Sequence, residues 1–411
     1  MTSSACRLCD APLEHVFADL GLSPISNDFV REEDLGKPEP FYPLKALVCD
    51  RCFLVQLEQF EAPEHHFSDE YAYFSSYSTS WLEHACRYVE QIVPQLKLGP
   101  QSQVVEVASN DGYLLQYFAE RGIPVLGIEP TANTAAAARK KGVPTEVRFF
   151  GQQAAVELRE NYAADLLIGN NVLAHVPDLN DFIAGLKTLL KPDGMITMEF
   201  PHLMRLVEEG QFDTIYHEHF SYFSLSTAVR AFARHGLTIC DVEELPTHGG
   251  SLRIYARHDH DGEKPVGDRI NELLVRERRA CYDRLETYLS FAQRVQREKR
   301  EIVRFFIDAK EAGQTIVGYG APAKGNTLLN YCGIRTDFID YTVDRNPHKQ
   351  GRYLPGTRIP IRDPEEIRRT KPDLVFILPW NLRDEVMEQM SFIREWGGRF
   401  AARSPQVRVF R

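Results

Sequence analysis

The run Val104-Val105-Glu106-Val107-Ala108-Ser109-Asn110-Asp111-Gly112 constrains this chain more than any other stretch. An apolar strand ends in an acidic residue and enters a tight polar turn closed by Gly112. Apolar residues then follow at helical spacing: Tyr113, Leu114, Leu115, Tyr117 and Phe118. Strand, turn and helix in that order bring backbone N–H groups and a helix N-terminus close to a bound ligand. A second acidic strand end, Gly127-Ile128-Glu129-Pro130, places Glu129 17 residues beyond Gly112. That is close to the offset of about 20 at which a carboxylate accepts hydrogen bonds from ribose hydroxyls. The segment therefore reads as a nucleoside-cofactor site, although any doubly wound α/β unit could carry such a turn.

The order of these parts resembles a class I S-adenosylmethionine-dependent methyltransferase. It departs from the usual glycine-rich loop, because Ala108, Ser109 and Asn110 stand where glycines are common. Strands are predicted at Val104–Val107, Val125–Ile128, Leu166–Ile168 and Met195–Phe200. Helical stretches such as Thr134–Lys141 and Asp181–Leu190 lie between them, the alternation of a mostly parallel sheet. Lys191-Pro192-Asp193-Gly194 reads as the turn between a helix and the next strand. From Trp81 to about Leu98 a helix leads into the first of these strands.

Past Gly249-Gly250-Ser251-Leu252-Arg253-Ile254-Tyr255, residues 268–312 contain neither Gly nor Pro, and their apolar periodicity predicts one or two long helices. A second α/β unit then opens at Thr315–Val317 and runs into Gly318-Tyr319-Gly320-Ala321-Pro322-Ala323-Lys324-Gly325. Its later strands are expected at Tyr341–Asp344 and Leu374–Leu378. The start of that loop is GxG, but its third glycine comes late for a dinucleotide fingerprint. It could instead cradle a diphosphate through backbone amides with Lys324 adding charge, or be a purely structural turn.

Four of the eight cysteines form two pairs, Cys6-x-x-Cys9 and Cys49-x-x-Cys52. Each short turn can offer two sulfurs to one ion, which suits a closed, structural four-thiolate zinc site. The spacing between the pairs is longer than usual, and a redox pair is the competing reading. Two matched pairs with no other redox signature favour zinc. The net charge of −10 argues against a sequence-independent nucleic-acid binder, which needs clustered Lys and Arg. No window approaches 18 uninterrupted apolar residues and no basic leader precedes an apolar core. The expectation is a cytoplasmic protein that is not membrane-embedded.

Three segments could carry chemistry. Gly169-Asn170-Asn171-Val172-Leu173-Ala174-His175 follows a predicted strand, where reacting groups of such folds collect; His175 could equally be structural. Tyr71 to Ser78 closes the N-terminal module. The densest is Thr214-Ile215-Tyr216-His217-Glu218-His219-Phe220-Ser221. Its plainer readings are an aromatic core strand or a metal site using His217 and His219. Consecutive ionisable residues make poor core material unless paired, and the spacing is not HExxH, so the catalytic reading is favoured.

Taken in order, the CxxC pairs, VEVASNDG, GIEP, TIYHEHFSYFS and VGYGAPAKGN resemble the three-domain sugar C-methyltransferases, over nearly the whole chain. Those enzymes act at C3 of nucleotide-linked 4-keto-deoxyhexoses in branched-sugar biosynthesis, such as that of mycarose and tetronitrose. The resemblance implies an α/β protein of three parts. These are a zinc-binding N-terminal module (1–78), a Rossmann-like S-adenosylmethionine-binding domain (79–244) and a C-terminal Rossmann-like domain preceded by long helices (245–411). It implies His219 as general base, Glu218 as a residue that orients an imidazole or binds the sugar, and Tyr216 and His175 near the C4 oxygen. Glu106, Asn110, Gly112, Glu129 and Asn171 are the expected cofactor contacts. One of Tyr71 and Tyr73, together with Lys324, is expected on the substrate, and Cys6, Cys9, Cys49 and Cys52 on zinc. Two rivals follow from the same residues: a methyltransferase acting at oxygen or nitrogen of another small molecule, and a non-catalytic zinc-containing scaffold. Monomer and dimer are not distinguished.

Overall fold

Three β-sheets, each tied to the next by side chains from distant parts of the chain, organise the computed structural model, which describes residues 5–60, 73–260, 265–403 and 406–410. The first sheet begins with antiparallel strands β1 (His15–Ser23), β2 (Tyr42–Val48) and β3 (Val55–Leu57). Its cysteine turns repeat one geometry. Asp10 N–H bonds Cys6 O and Phe53 N–H bonds Cys49 O, while Asp10 and Phe53 both take left-handed backbone angles. Each turn thereby aims two sulfurs at one point.

The central sheet follows helix α1 (Thr79–Leu96), which Ser78 caps by accepting from Trp81 N–H. Its parallel strands are β4 (Val104–Val107), β5 (Val125–Glu129), β6 (Thr145–Val147), β7 (Ala164–Asn170) and β8 (Leu190–Pro201). Two antiparallel strands extend it, β10 (Leu237–Leu245) and β11 (Ser251–His258), and the order of the whole sheet is β10-β11-β8-β7-β4-β5-β6. The order reverses between β4 and β7, the place where a cleft opens beyond the strand ends. The predicted turn at Lys191–Gly194 is instead extended, because β8 begins at Leu190 beside Ala164. The helix after Gly112, α2 (Leu115–Ala119), is only one turn long. Ala108, Asn110 and Gly112 all adopt positive φ, so the chain coils through a loop before helix can start.

Strand β9 (Ser221–Tyr222) lies directly after the Tyr216–His219 segment, yet it pairs with β3 of the first sheet, Val55 opposite Tyr222 and Gln56 opposite Ser221. The candidate segment is therefore stitched to the cysteine-bearing module. Two helices follow β11, α3 (Asp268–Arg279) and the long α4 (Leu285–Glu311). The third sheet is made of β12 (Ile316–Tyr319), β13 (Thr342–Val343), β14 (Ile361–Arg362), β15 (Leu374–Ile377), β16 (Arg399–Arg403) and β17 (Val407–Phe410). Its order is β14-β13-β12-β15-β16-β17, all parallel except β17. Helix α5 (Ala323–Cys332) starts just beyond β12. One apolar cluster joins the outer two parts: Phe17 of β1 stacks on Phe291 of α4 with centroids 4.6 Å apart, and Val55, Phe306 and Ile316 belong to the same core. No helix among the described residues is long and apolar enough to cross a membrane.

Candidate active site between the sheets

The loop after β4 is built from side-chain carboxylates that hold backbone N–H groups. Glu129 Oε2 accepts from Asn110 N–H at 2.9 Å, and its Oε1 accepts from Thr131 N–H at 3.0 Å. Asn110 in turn bonds the preceding segment: its Oδ1 accepts from Ser75 N–H at 2.9 Å and its Nδ2 donates to Tyr73 O at 3.2 Å. Residues 73–78 thus lie over the loop. Several buried polar atoms here have no hydrogen-bond partner among the described residues: both oxygens of Glu106, Ser109 Oγ, Asp111 Oδ1 and Asn171 Oδ1. Burial pushes the Glu106 carboxyl well above its ordinary range, and it raises that of Glu129 as well. Buried groups left unpaired are costly, so such a set marks a place for a polar ligand.

Tyr216 and His219 form the centre of the second group. Nδ1 of His219 lies 3.0 Å from Thr214 O, and Nε2 lies 2.6 Å from the Tyr216 hydroxyl. A carbonyl only accepts, so Nδ1 carries the hydrogen and Nε2 presents its lone pair to the phenol. His175 packs edge-on against His219 with ring centroids 4.6 Å apart. Burial, then His175, holds the His219 imidazole well below its usual range, and it is neutral at working pH. Glu218 turns the other way. Both its oxygens accept from Asn27 Nδ2 of the first module, and burial pushes its carboxyl up to about 7. His217 points to Pro43 O at 3.2 Å.

The C-terminal sheet closes this centre. Lys324, in the first turn of α5, donates to Asn381 Oδ1 at 2.7 Å and lies 4.8 Å from the Trp380 ring. Burial draws its pKa down to about 8, and its charge depresses both His219 and His248. Trp380 Nε1 donates to Asp213 Oδ2 at 2.6 Å, and Arg403 Nη1 donates to Asp213 Oδ1 at 2.8 Å. Arg403 also reaches Gly210 O and Glu298, so one buried guanidinium secures the start of the Tyr216–His219 segment. The amide of Ala321 is taken by the Asp344 carboxylate at 2.8 Å, and Lys349 donates to Ala321 O at 2.9 Å. Part of the glycine loop is therefore engaged by its own domain.

The expected residues separate into two clusters. Glu106, Asn110, Gly112, Glu129 and Asn171 gather around the β4 and β7 ends; His175, Tyr216, His219 and Lys324 gather beside them. Tyr73 meets the loop after β4 through its carbonyl and is 44% exposed. Tyr71 lies outside the described residues. Four residues that sequence reasoning left without a role bond or brace the candidate residues: Asn27 at Glu218, His248 at Asn171, and Asp213 with Trp380 ahead of Tyr216.

Along almost its whole length the chain is similar to C-methyltransferase NovU of Streptomyces niveus, at 35% identity over 411 residues, covering 98% of this chain and 96% of that protein. The chain belongs to the C-methyltransferase family. Residues 6–67 match a zinc binding domain, residues 80–242 a methyltransferase domain and residues 246–405 the C-methyltransferase C-terminal domain. A shorter likeness reaches the ubiquinone biosynthesis O-methyltransferase of Rhodopseudomonas palustris (strain HaA2), 27% identical over 118 residues, covering 28% of this chain and 46% of that one. Among solved structures, the Burkholderia thailandensis 1,6-didemethyltoxoflavin-N1-methyltransferase aligns with a TM-score of 0.37 at 20% identity, covering 50% of this chain and 94% of that one.

The C-methyltransferase is S-adenosylmethionine-dependent, and the unpaired polar atoms around Glu106 and Asn171 suit a cofactor that carries ribose hydroxyls and an amino-acid tail. Its four cysteine sulfurs all lie within 4.8 Å of one another, with Cys6–Cys52 and Cys9–Cys49 each at 3.5 Å. A zinc tetrahedron with bonds of about 2.3 Å has edges of about 3.8 Å, so the donor set fits the metal. Gln56 Nε2 donates to Cys6 Sγ at 3.2 Å and Arg51 N–H to Cys49 Sγ at 3.4 Å, bonds that stabilise thiolate charge. Such a closed set leaves no position for water, so the metal's work there is structural.

Proposed function

We propose that this C-methyltransferase methylates C3 of a nucleotide-diphosphate-linked 4-keto-6-deoxyhexose in branched deoxysugar biosynthesis, through an enolate. The observation that carries the reading is the Tyr216–His219 pair, whose Nε2 is fixed as an acceptor by the Nδ1 contact to Thr214 O. Carbon is a poor nucleophile until a neighbouring carbonyl acidifies its hydrogen, so the chemistry needs a base and a donor at the carbonyl oxygen. Tyr216 hands its proton to His219 as its own oxygen takes the C3 proton, or His219 takes that proton itself. In either route the pair gains one proton.

Burial keeps His219 unprotonated, so the acceptor is present before substrate arrives. His175, edge-on to that ring, is placed to orient the C4 oxygen. Glu218 binds a sugar hydroxyl or steadies the segment through Asn27. Lys324 balances the anionic charge of the substrate, with one of Tyr71 and Tyr73 as a further substrate contact. S-adenosylmethionine supplies the electrophilic methyl group. Glu106, Asn110, Gly112, Glu129 and Asn171 hold it.

The test uses methyl-labelled S-adenosylmethionine, a panel of nucleotide 4-keto-6-deoxysugars and deuterated water, read by mass spectrometry and NMR. The expected result is label on C3 and deuterium at C3 of recovered substrate, with both reduced at least about 100-fold in His219→Ala. Methyl or deuterium at C5, the other carbon beside the ketone, overturns the regiochemistry. Methylation without any exchangeable C–H, or no methylated sugar while cofactor binds, overturns the enolate reading.

A further inference from the structure

His248 holds a backbone conformation that its side chain disfavours, at φ 53° and ψ 20°. A left-handed non-glycine residue costs on the order of 1–3 kcal/mol and persists only where its surroundings impose it. Here they do. Thr247 Oγ1 donates to Glu199 Oε1 at 2.7 Å, and Gly250 N–H returns to Thr247 O at 2.9 Å. Gln211 Nε2 donates to Gly249 O at 2.7 Å. Gly249 itself is pressed so closely on Trp380 that a Cβ would stand 2.4 Å from the ring, which leaves no space for another residue. Glu199 is anchored in turn by His84 at 2.8 Å and Arg253 at 2.7 Å; burial works against its ionisation, but these partners hold its pKa at about 2.

The strain sets a direction. The imidazole of His248 stands edge-on to Trp81, with centroids 5.1 Å apart, and its Nε2 lies 2.9 Å from Asn171 Nδ2. An amide nitrogen only donates, so Nε2 is the acceptor and Nδ1 carries the hydrogen. Asn171 is left-handed as well, at φ 54°, and its own N–H is tied to Glu199 O at 2.7 Å. Two strained residues from separate loops thus face each other through one bond, at the junction of the two clusters. Of the other donors of this centre, Tyr216 bonds His219, His219 Nδ1 bonds Thr214 O and Lys324 bonds Asn381, while His175 stands edge-on to His219.

We infer that His248 is a catalytic residue whose Nδ1–H donates to the substrate carbonyl oxygen as negative charge develops there, and that Asn171 is a positioning residue that fixes its tautomer. This rests on the enolate reading above. In the step concerned, the C3–H bond breaks and its electron pair becomes the C3=C4 bond. The carbonyl π pair moves to the oxygen and the proton passes to the Tyr216–His219 pair; His248 transfers nothing. Burial, then Lys324 from α5, hold the ring at a pKa of about 4, with His84 of α1 and His175 acting the same way and Glu199 of β8 opposing them. The ring is therefore a neutral donor at working pH, held in place before substrate arrives.

The test compares wild type with His248→Ala, His248→Gln and His248→Gly in the full-length zinc-loaded enzyme. Glycine accepts the left-handed backbone, so that variant guards against misfolding of the alanine protein. Three quantities are read: C3 exchange into deuterated water with S-adenosylhomocysteine bound, kcat against KM for the keto sugar, and S-adenosylhomocysteine affinity by calorimetry. Exchange and kcat should fall about 100-fold or more in the Gly and Ala variants, the usual effect of removing one such donor. KM and cofactor affinity should stay within about threefold, and Gln, whose amide can donate, should recover at least tenfold over Ala. Exchange within threefold of wild type in His248→Gly overturns the inference, as does cofactor affinity that falls in step with kcat. Wild-type enzyme that neither exchanges nor methylates any keto sugar overturns the substrate reading, and the inference with it. That pattern differs from a wild type that exchanges and a variant that does so equally.

Discussion

Asn27, in the cysteine-bearing module, donates to both carboxylate oxygens of Glu218, at 2.8 and 2.9 Å across 191 positions of chain. Burial raises the Glu218 carboxyl to about 7 against an ordinary value of 4.5, with Asn27 opposing the rise. A folded pKa above the unfolded one means the folded state binds the proton more tightly. The contribution to stability is therefore full below about pH 4.5 and is lost as pH rises through about 7. Glu218→Gln removes that penalty. The variant should match wild type in thermal unfolding at pH 4.5 and exceed it at pH 8, by up to roughly 3 kcal/mol at about 1.4 per pKa unit. It should do so while losing activity. A stability difference that does not change with pH would sink the idea.

Zinc removal should cost activity as well as stability, although the metal touches no substrate. The Cys49–Cys52 turn leads straight into β3, and β3 pairs with Ser221 and Tyr222 just after His219. Cys6→Ser should abolish stoichiometric zinc by metal analysis and lower the unfolding midpoint. Its kcat should fall more than tenfold, while calorimetric affinity for S-adenosylhomocysteine at the central sheet changes little. Full activity in a metal-free protein would show that the β3–β9 pairing survives without the ion.

What was legible in the chain followed from local periodicity. Strands β4, β5, β7 and β8 announce themselves through apolar runs bounded by turns, and the long helices through a stretch without Gly or Pro. The cysteine pairs are legible because each turn is local, and convergence of the four sulfurs on one point needs only that both turns fold alike. The site is harder. Tyr216 and His219 stand out because ionisable residues crowd among aromatics, but Asn27, Asp213 and Trp380 gain meaning only through contacts more than 160 positions apart. His248 did leave a signal: a histidine directly before Gly249-Gly250, where one glycine would have sufficed to start a strand. Sequence pattern does not reveal that Trp380 presses on the second of these three residues.

Asp213 should prove costly to remove. It is fully buried between Arg403 and Trp380, and Arg403 is itself buried with Glu298. Asp213→Ala strips the guanidinium of one of its two carboxylates, and breaking a buried pair in this way typically costs about 3–5 kcal/mol. The urea midpoint should fall accordingly. Because Asp213 begins the segment that carries Tyr216 and His219, kcat should drop further than KM in whatever fraction remains folded. An unchanged midpoint would mean that Arg403 re-pairs wholly with Glu298.

Gly112 and Glu129 should separate strain from ligand contact in the loop after β4, which the proposed function gives to the cofactor. Gly112 sits at φ 75°, and a Cβ there would stand 3.2 Å from both Ala138 Cβ and Val143 Cγ2. Gly112→Ala therefore meets a left-handed penalty of about 1–2 kcal/mol and a crowded wall, so it should lower both the unfolding midpoint and cofactor affinity. Glu129→Gln keeps the shape but removes the charge that receives Asn110 N–H and Thr131 N–H. Hydrogen bonds to a charged group contribute about 1.5–3 kcal/mol, so S-adenosylhomocysteine affinity should fall roughly 10- to 100-fold with a smaller change in stability. C3 exchange at saturating cofactor should be preserved in Glu129→Gln, since the Tyr216–His219 pair is untouched. If exchange falls as steeply as affinity, the cofactor loop and the proton-transfer centre are one unit, and the two-cluster division of the site is wrong.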